Sequence, residues 1–216
     1  MDRTLEPEVM DTIDDAHDYD AMDHTAPNRA FVDRLKQLGA TGRMLDLGTG
    51  PGHIPIMVAQ EIGDASVMAL DLSKNMLELA KEKLAAVALG DRVEFHLADV
   101  KDLPFDDRAF DVVFSNTILH HIPEPVEMLR EAWRVLKPDG ILLIRDLYRP
   151  PDEATLDALV QQHVGRESEH ARKMFRDSLC AALTPDELRA AANAAGMQGV
   201  EVVIDTDRHM SLQKSR

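Results

Sequence analysis

The chain has 216 residues, and its 24 basic and 39 acidic residues give a formal net charge of −15. Such an acidic surface repels phosphate backbones and anionic lipid, so we expect neither nucleic acid nor membrane among its partners. The single cysteine, Cys180, excludes an internal disulfide framework, and neither a run of about 20 apolar residues nor a basic leader is present. We expect a cytoplasmic protein and assign no residue to a metal.

Much of the negative charge lies at the start of the chain. Residues 1–23 contain nine acids and one base, a net charge of −8. This composition disfavours core structure. It predicts an acidic arm over residues 1–28 that closes over a site as a lid, followed by a single domain over residues 29–216.

From about residue 28, short apolar runs alternate with helical patterns. Seven of these runs predict strands, at residues 43–47, 66–71, 92–98, 110–115, 140–145, 200–204 and 209–214. Ser73 predicts the start of one helix, residues 124–136 predict another, and Thr184 with Glu187 forms a capping box for a third.

This alternation predicts an α/β fold with a doubly wound, Rossmann-like sheet. We expect seven strands, mostly parallel, with helices on both faces. Residues 151–182 interrupt the alternation and predict a helical insertion after the fifth strand, on the substrate side of the domain.

The clearest motif is the loop that follows the first strand, Asp46-Leu-Gly-Thr-Gly-Pro-Gly52. A glycine-rich turn between a strand and a helix lets a ligand come close to the backbone. The next strand ends at Asp71, 19 residues after Gly52, where a carboxylate can accept hydrogen bonds from both hydroxyls of a ribose. The pattern predicts a nucleoside-binding site.

The charge and spacing of the loop bear on which nucleoside it binds. The dinucleotide fingerprint is G-x-G-x-x-G, whereas this loop has G-x-G-x-G with Asp46 at its mouth. An acid there repels a pyrophosphate and suits a cation. S-adenosylmethionine carries a sulfonium and an ammonium group and no phosphate, so the loop favours it over NAD.

Five motifs in the segment 44–146 resemble those of the class I S-adenosylmethionine-dependent methyltransferases, nearest to the small-molecule branch that includes ubiquinone and menaquinone biosynthesis enzymes. They are the glycine loop, Asp71-Leu-Ser73, Ala98-Asp-Val100 with Leu103-Pro-Phe105, Phe110 to Ile122, and Glu131 to Gly140. The resemblance implies cofactor contacts at Asp46, Gly48, Thr49, Gly50, Gly52, Asp71, Leu72, Met76, Asp99, Val100, Ser115 and Asn116.

Methyl transfer needs a base only if the acceptor must lose a proton. The candidates are His24, His120 and His121, of which the last two follow the fourth strand. Substrate contacts are expected from Tyr19 and Asn28 in the arm, Tyr148 after the fifth strand, and Arg172 and Arg176 in the insertion.

Strand four ends in Ser115-Asn-Thr-Ile118. Enzymes that methylate amide or exocyclic nitrogens of nucleic acids and proteins typically have N-P-P-Y or D-P-P-Y there, so this departure favours a small-molecule acceptor. Transfer to oxygen, nitrogen or carbon stays open. So do a catalytically silent S-adenosylmethionine-binding or regulatory protein, an NAD-dependent oxidoreductase, and the oligomeric state, with a homodimer among the options.

Overall fold

The computed structural model describes residues 1–6, 12–21 and 25–216. Its sheet has seven strands in the order β3-β2-β1-β4-β5-β7-β6. The strands are β1 Arg43–Leu47, β2 Ser66–Asp71, β3 Val93–Leu97, β4 Phe110–Asn116, β5 Leu136–Leu147, β6 Glu201–Ile204 and β7 His209–Lys214. The first five strands pair in parallel and β7 is antiparallel to both neighbours, which confirms the predicted sheet.

Helices pack on both faces of the sheet, as predicted. In the described part of the chain they are α1 Ile13–Ala21, α2 Thr25–Gln37, α3 His53–Glu61, α4 Lys74–Ala85, α5 Pro125–Val135, α6 Glu153–Val164, α7 Glu169–Ala181 and α8 Pro185–Ala194. Alternate residues of the central strands face opposite sides. Leu45 and Val113 join a core with α5 and α8, whereas Met44 and Val112 join a core with α2 and α3.

The predicted helix starts are present, and one strand is longer than expected. Ser73 accepts a hydrogen bond from the backbone N–H of Met76, and Thr184 forms its capping box with Glu187. Strand β5 begins at Leu136, four residues before the predicted start, because Leu136 pairs with Phe110 ahead of an irregularity in the β4–β5 register.

The insertion 151–182 forms two helices, α6 and α7, that share a small core. Leu156 and Leu159 of α6 pack with Leu179 of α7 and with Leu147 at the end of β5. Asp152 and Ser168 cap the two helices by accepting backbone N–H groups. The insertion therefore packs on the end of β5 through its own apolar residues.

The first part of the chain has more contacts than its composition predicts. Helix α2 spans the proposed arm boundary at residue 28, and its Phe31 and Leu35 are fully buried in the core. Upstream, Arg3 donates hydrogen bonds to backbone carbonyls of the insertion and of the segment after β4, those of Ala181, His120, Ile122 and Pro123. Within the described ranges, no helix combines the length and apolar character that a bilayer crossing requires.

Candidate functional site

A cavity of about 1020 Å³, counting its open mouth, lies where β1, β2 and β4 end at the carboxyl edge of the sheet. This edge is where open α/β sheets bind ligands. The cavity lining includes most of the residues singled out from the sequence: Tyr19, Asn28, Asp46, Gly48, Thr49, Gly50, Asp71, Leu72, Met76, Asp99, Val100, Asn116 and His121.

The three glycines of the loop all have positive φ angles, but they differ in what surrounds them. At Gly48 an added Cβ would lie 2.4 Å from the side chain of Ile118, and at Gly52 it would lie 2.8 Å from Ala80. At Gly50 the nearest described atom is a ring carbon of Tyr19 at 3.9 Å. Gly48 and Gly52 therefore allow neighbouring side chains to pack against the backbone. Gly50 instead leaves open space in the cavity wall. Gly52 is not part of the cavity lining.

Asp71 connects the end of β2 to the glycine loop. One carboxylate oxygen accepts the backbone N–H of Gly50 at 2.7 Å, and the other accepts that of Ser73 at 2.8 Å. Asp71 is thus fixed in the cavity wall with both oxygens oriented by backbone donors.

Asp46 is buried, with 2% of its surface exposed, at the end of β1. Burial raises its pKa to about 7, an effect that the nearby Thr49 hydroxyl reduces and the Asp71 charge increases. Its Oδ2 and the Thr49 hydroxyl make no aligned hydrogen bond within the described residues. A cationic ligand beside Asp46 would stabilise the carboxylate that burial disfavours.

On the β3 side, Asp99, Val100 and Lys101 contribute to the lining. One Asp99 oxygen accepts the Lys101 backbone N–H at 2.9 Å and lies 3.0 Å from its ammonium nitrogen. Leu72 is 43% exposed in the same wall, which offers an apolar surface to a flat ring.

The end of β4 contains a strained residue that sequence reasoning did not single out. Thr117 has a φ of 59°, which is unfavourable for a β-branched side chain, and it lines the cavity. Its hydroxyl accepts from the Asn116 amide at 3.3 Å, and the Asn116 amide oxygen accepts from Arg145 at 2.9 Å. Ser115 instead donates to the Leu47 carbonyl at 2.7 Å and is not part of the lining.

Helix α1 contributes Tyr19 to the cavity. Burial raises the pKa of the Tyr19 phenol, and a hydrogen bond with Thr117 partly offsets that rise. The neighbouring Asp20 bonds the His53 ring at 2.7 Å and the Lys83 ammonium at 2.7 Å. Although burial acts in the opposite direction, these two partners hold the pKa of Asp20 below its ordinary value.

The two histidines after β4 have different positions. His121 lines the cavity, whereas His120 is buried behind it and its Nδ1 lies 2.5 Å from the Asp146 carboxylate. Burial lowers the pKa of His120, but Asp146 and Glu6 more than offset that effect, so the pKa is raised overall. His24 lies outside the described residues.

Three predicted substrate contacts are not in the cavity lining. The Tyr148 hydroxyl donates to the Asp207 carbonyl at 2.8 Å. Arg172 contacts the Gly165 carbonyl at 3.4 Å, and Arg176 pairs with Glu153 and Asp157 at 2.5 Å each. The structure brings none of the three to this cavity.

Sequence reasoning also missed part of the lining, namely Pro51, His53, Ile54, Ser73, Lys101, Thr117, Ile118 and Ile122. Each of these residues lies within two positions of a residue that was singled out. Continuity along the loops that follow β1, β2, β3 and β4 was therefore the available signal.

The chain is an α/β protein whose acidic cavity would suit a nucleoside that carries positive charge. A family model described as "Methyltransferase domain" matches residues 38–196. The chain thus belongs to the methyltransferase domain family.

Two curated relatives illustrate the similarity. The 27-O-demethylrifamycin SV methyltransferase of Amycolatopsis mediterranei is 33% identical over 171 residues, which cover 78% of this chain and 59% of the relative. The demethylmenaquinone methyltransferase of Clavibacter sepedonicus is 43% identical over 109 residues, covering 50% and 42%. The chain thus spans about half the length of the curated relatives it matches.

Solved structures resemble the fold. An S-adenosylmethionine-dependent methyltransferase from Aquifex aeolicus aligns with a TM-score of 0.64 at 23% identity, covering 84% of this chain and 86% of the other. The phosphoethanolamine N-methyltransferase 2 of Haemonchus contortus, in complex with S-adenosyl-L-methionine, aligns with a TM-score of 0.68 at 22% identity, covering 89% and 53%.

The residues of the cavity fit S-adenosylmethionine. Gly50 leaves open space where a side chain would otherwise project, and the buried Asp46 oxygen has no aligned donor in the described structure. Asp46, Asp71 and Asp99 give the lining an acidic character that suits a sulfonium and an ammonium group and disfavours a pyrophosphate.

Proposed function

We propose that this protein transfers the methyl group of S-adenosylmethionine to an oxygen, nitrogen or carbon atom of a small-molecule acceptor. The observation that carries the proposal is the meeting of Asp46, Gly50 and Asp71 in one cavity at the carboxyl ends of β1 and β2. Membership of the methyltransferase domain family supports the same activity.

Each residue of the cofactor side has a proposed task. Asp46 faces the ammonium group. Asp71 accepts hydrogen bonds from the two ribose hydroxyls, and it also accepts the backbone N–H of Gly50. Asp99 accepts a hydrogen bond from the exocyclic amine of adenine, beside Val100. Leu72 covers one face of the adenine ring. These roles match hydrogen-bond acceptors with donors and an apolar side chain with a ring face.

When bound, the cofactor supplies a methyl group on a positively charged sulfur that leaves as a neutral thioether. The protein therefore needs no acid for the leaving group, and its main work is to align the acceptor and exclude water. Tyr19, Asn116 and Thr117 form a polar wall at the end of β4, where the acceptor would be oriented.

Three histidines were predicted to be catalytic, and among the described residues His121 is the one that lines the cavity. We therefore propose that His121 contacts the acceptor. His120 is buried and bonded to Asp146, which makes it a positioning residue for the turn. The other acceptor contacts that we propose are Tyr19 and Asn28.

The acidic arm is proposed to act as a lid through helix α1. Tyr19 reaches the cavity, and Asp20 joins α1 to His53, the residue after the glycine loop, and to Lys83 of α4. These ion pairs are partly exposed, so their contribution is modest.

Replacing Asp20 with alanine is expected to release α1 and weaken S-adenosylmethionine binding about 3- to 10-fold, on the scale of about 1 kcal/mol for a partly exposed ion pair. Dissociation of S-adenosylmethionine should accelerate more than its association slows, because the substitution weakens the closure of α1 over the bound molecule. Stopped-flow measurement of both rate constants tests this. The matched control is Asp33→Ala, which removes an exposed helical ion pair with Lys36 outside the cavity lining. Equal rate constants in Asp20→Ala and Asp33→Ala would contradict the proposal that α1 acts as a lid.

The proposed function is tested in two stages. Calorimetric titration should detect binding of S-adenosylmethionine and S-adenosylhomocysteine but not of NAD. Transfer of a labelled methyl group is then measured against a panel of small quinols, phenols, amines and activated carbon acids. Binding of NAD alone would contradict the cofactor assignment, and cofactor binding without transfer to any acceptor would favour a silent binding protein.

A further inference from the structure

Three side chains with metal-binding atoms meet beside the cavity, and the function proposed above does not need them to do so. They are Glu6 from the first segment of the chain, and His120 and His121 from the turn after β4. Their ligand atoms, Glu6 Oε1, His120 Nε2 and His121 Nδ1, all lie within 4.8 Å of one another. We propose that these three residues bind a zinc ion.

The distances suit zinc more closely than they suit hydrogen bonding. Glu6 Oε1 lies 3.3 Å from His120 Nε2 and 3.3 Å from His121 Nδ1. Zinc–ligand bonds of about 2.0–2.1 Å in a tetrahedron place neighbouring ligand atoms roughly 3.3 Å apart. Despite these distances, Glu6 Oε1 makes no aligned hydrogen bond within the described residues. Two of the three separations thus match a tetrahedral zinc site, and the third, between the two histidine nitrogens, is within 4.8 Å.

A second carboxylate orients one of the histidines. Asp146 lies 2.5 Å from His120 Nδ1, and it also accepts the backbone N–H groups of His120 and Leu147. A carboxylate bonded to Nδ1–H leaves the Nε2 lone pair available to a metal, which is the usual arrangement behind a ligating histidine. Both His120 and Asp146 are at least 96% buried, so this orientation is fixed by packing.

The segment that carries Glu6 is itself anchored beside the cluster. The carboxylates of Glu6 and Asp146 both contact the His120 ring, at 3.3 and 2.5 Å. Arg3 fastens the segment that carries Glu6 by donating to carbonyls around the cluster, so Glu6 is held in place without the metal.

The ligand set specifies the kind of site. Two histidine nitrogens and one carboxylate oxygen give three protein ligands, and zinc in such sites retains a fourth position for water or substrate. His121 and Ile122 line the cavity, so the ion would lie at its edge. With zinc bound, His121 contacts the acceptor through the ion and not as a free base.

Zinc binding is measured on the full-length protein without cofactor, so the result is independent of methyl transfer. After treatment with a chelator, the protein is titrated with zinc chloride at pH 7.5. We expect one ion per chain, and at least a 30-fold loss of affinity in both Glu6→Gln and His121→Ala. The matched control is His96→Ala, which removes an exposed histidine that pairs with Glu94 at 3.5 Å, and it should bind zinc as the parent does.

Cobalt substitution gives a second readout that does not depend on any variant. A tetrahedral cobalt ion with nitrogen and oxygen ligands produces intense visible absorption bands, and zinc should displace it and remove them. The proposal is overturned if the parent protein binds no stoichiometric zinc, or if either Glu6→Gln or His121→Ala retains parental affinity. Absence of tetrahedral cobalt bands would likewise overturn it.

Discussion

Replacing Asp71 with alanine is expected to weaken S-adenosylmethionine binding about 100-fold, or roughly 3 kcal/mol. The carboxylate is proposed to accept both ribose hydroxyls, and it also accepts the backbone N–H groups of Gly50 and Ser73. The substitution thus removes the ribose contacts and leaves the glycine loop without its anchor. Calorimetric titration of the variant with S-adenosylmethionine measures the loss directly.

The control for this experiment is Asp64→Ala, because Asp64 is an exposed acid in the turn before β2. It changes the net charge by the same amount and should leave affinity unchanged. Asp71→Asn retains one oxygen acceptor and is expected to lie between the parent and the alanine variant. An alanine variant with parental affinity would reject Asp71 as the ribose ligand.

Replacing Asp46 with asparagine is expected to remove a pH dependence from cofactor binding. Burial raises the pKa of Asp46 to about 7, so in the free protein this carboxyl is largely protonated at pH 6 and largely ionised at pH 8. Only the ionised form attracts the ammonium group of the cofactor. Affinity of the parent should therefore rise about tenfold from pH 6 to pH 8, whereas Asp46→Asn should bind weakly at both.

A ligand control isolates the amino-acid portion of the cofactor. Methylthioadenosine retains the nucleoside but lacks the ammonium group, so its affinity should change little over the same pH range. Equal pH slopes for the two ligands, or an unchanged slope in Asp46→Asn, would assign the pH dependence to another group.

The same substitution should stabilise the protein in the absence of cofactor. Because the folded-state pKa of about 7 lies above the ordinary value of 3.8, the folded chain holds this proton more tightly, and stability falls as the pH rises from 4 to 7. Asp46→Asn does not lose stability in this way, because asparagine does not ionise. Its unfolding free energy should exceed that of the parent at pH 8, by at most about 4 kcal/mol, and approach it at pH 4 in denaturant titrations.

The sequence predicted the features that depend on local patterns. Apolar runs and turn residues located the strands. The glycine loop and Asp71 located two walls of one cavity, because parallel strands end at the same edge. The capping residues Ser73 and Thr184 were identified for the same reason, since a cap depends on residues three positions apart.

What the sequence did not predict depends on contacts between distant segments. Arg176 was expected at the substrate, but Glu153 and Asp157 on the adjacent helix pair with it. Glu6 was counted only as part of an acidic arm, although it meets His120 more than a hundred residues later. The strain at Thr117 arises where β4 leaves the sheet, and no local pattern marks it.

The attachment of residues 1–6 has a consequence for the order of folding. Arg3 bonds to carbonyls of His120, Ile122 and Ala181, and the Thr4 N–H donates to the Cys180 carbonyl. These residues are synthesised more than a hundred residues before the partners that they contact. The segment must therefore wait through translation and dock late, closing loops of more than a hundred residues whose entropic cost delays such contacts.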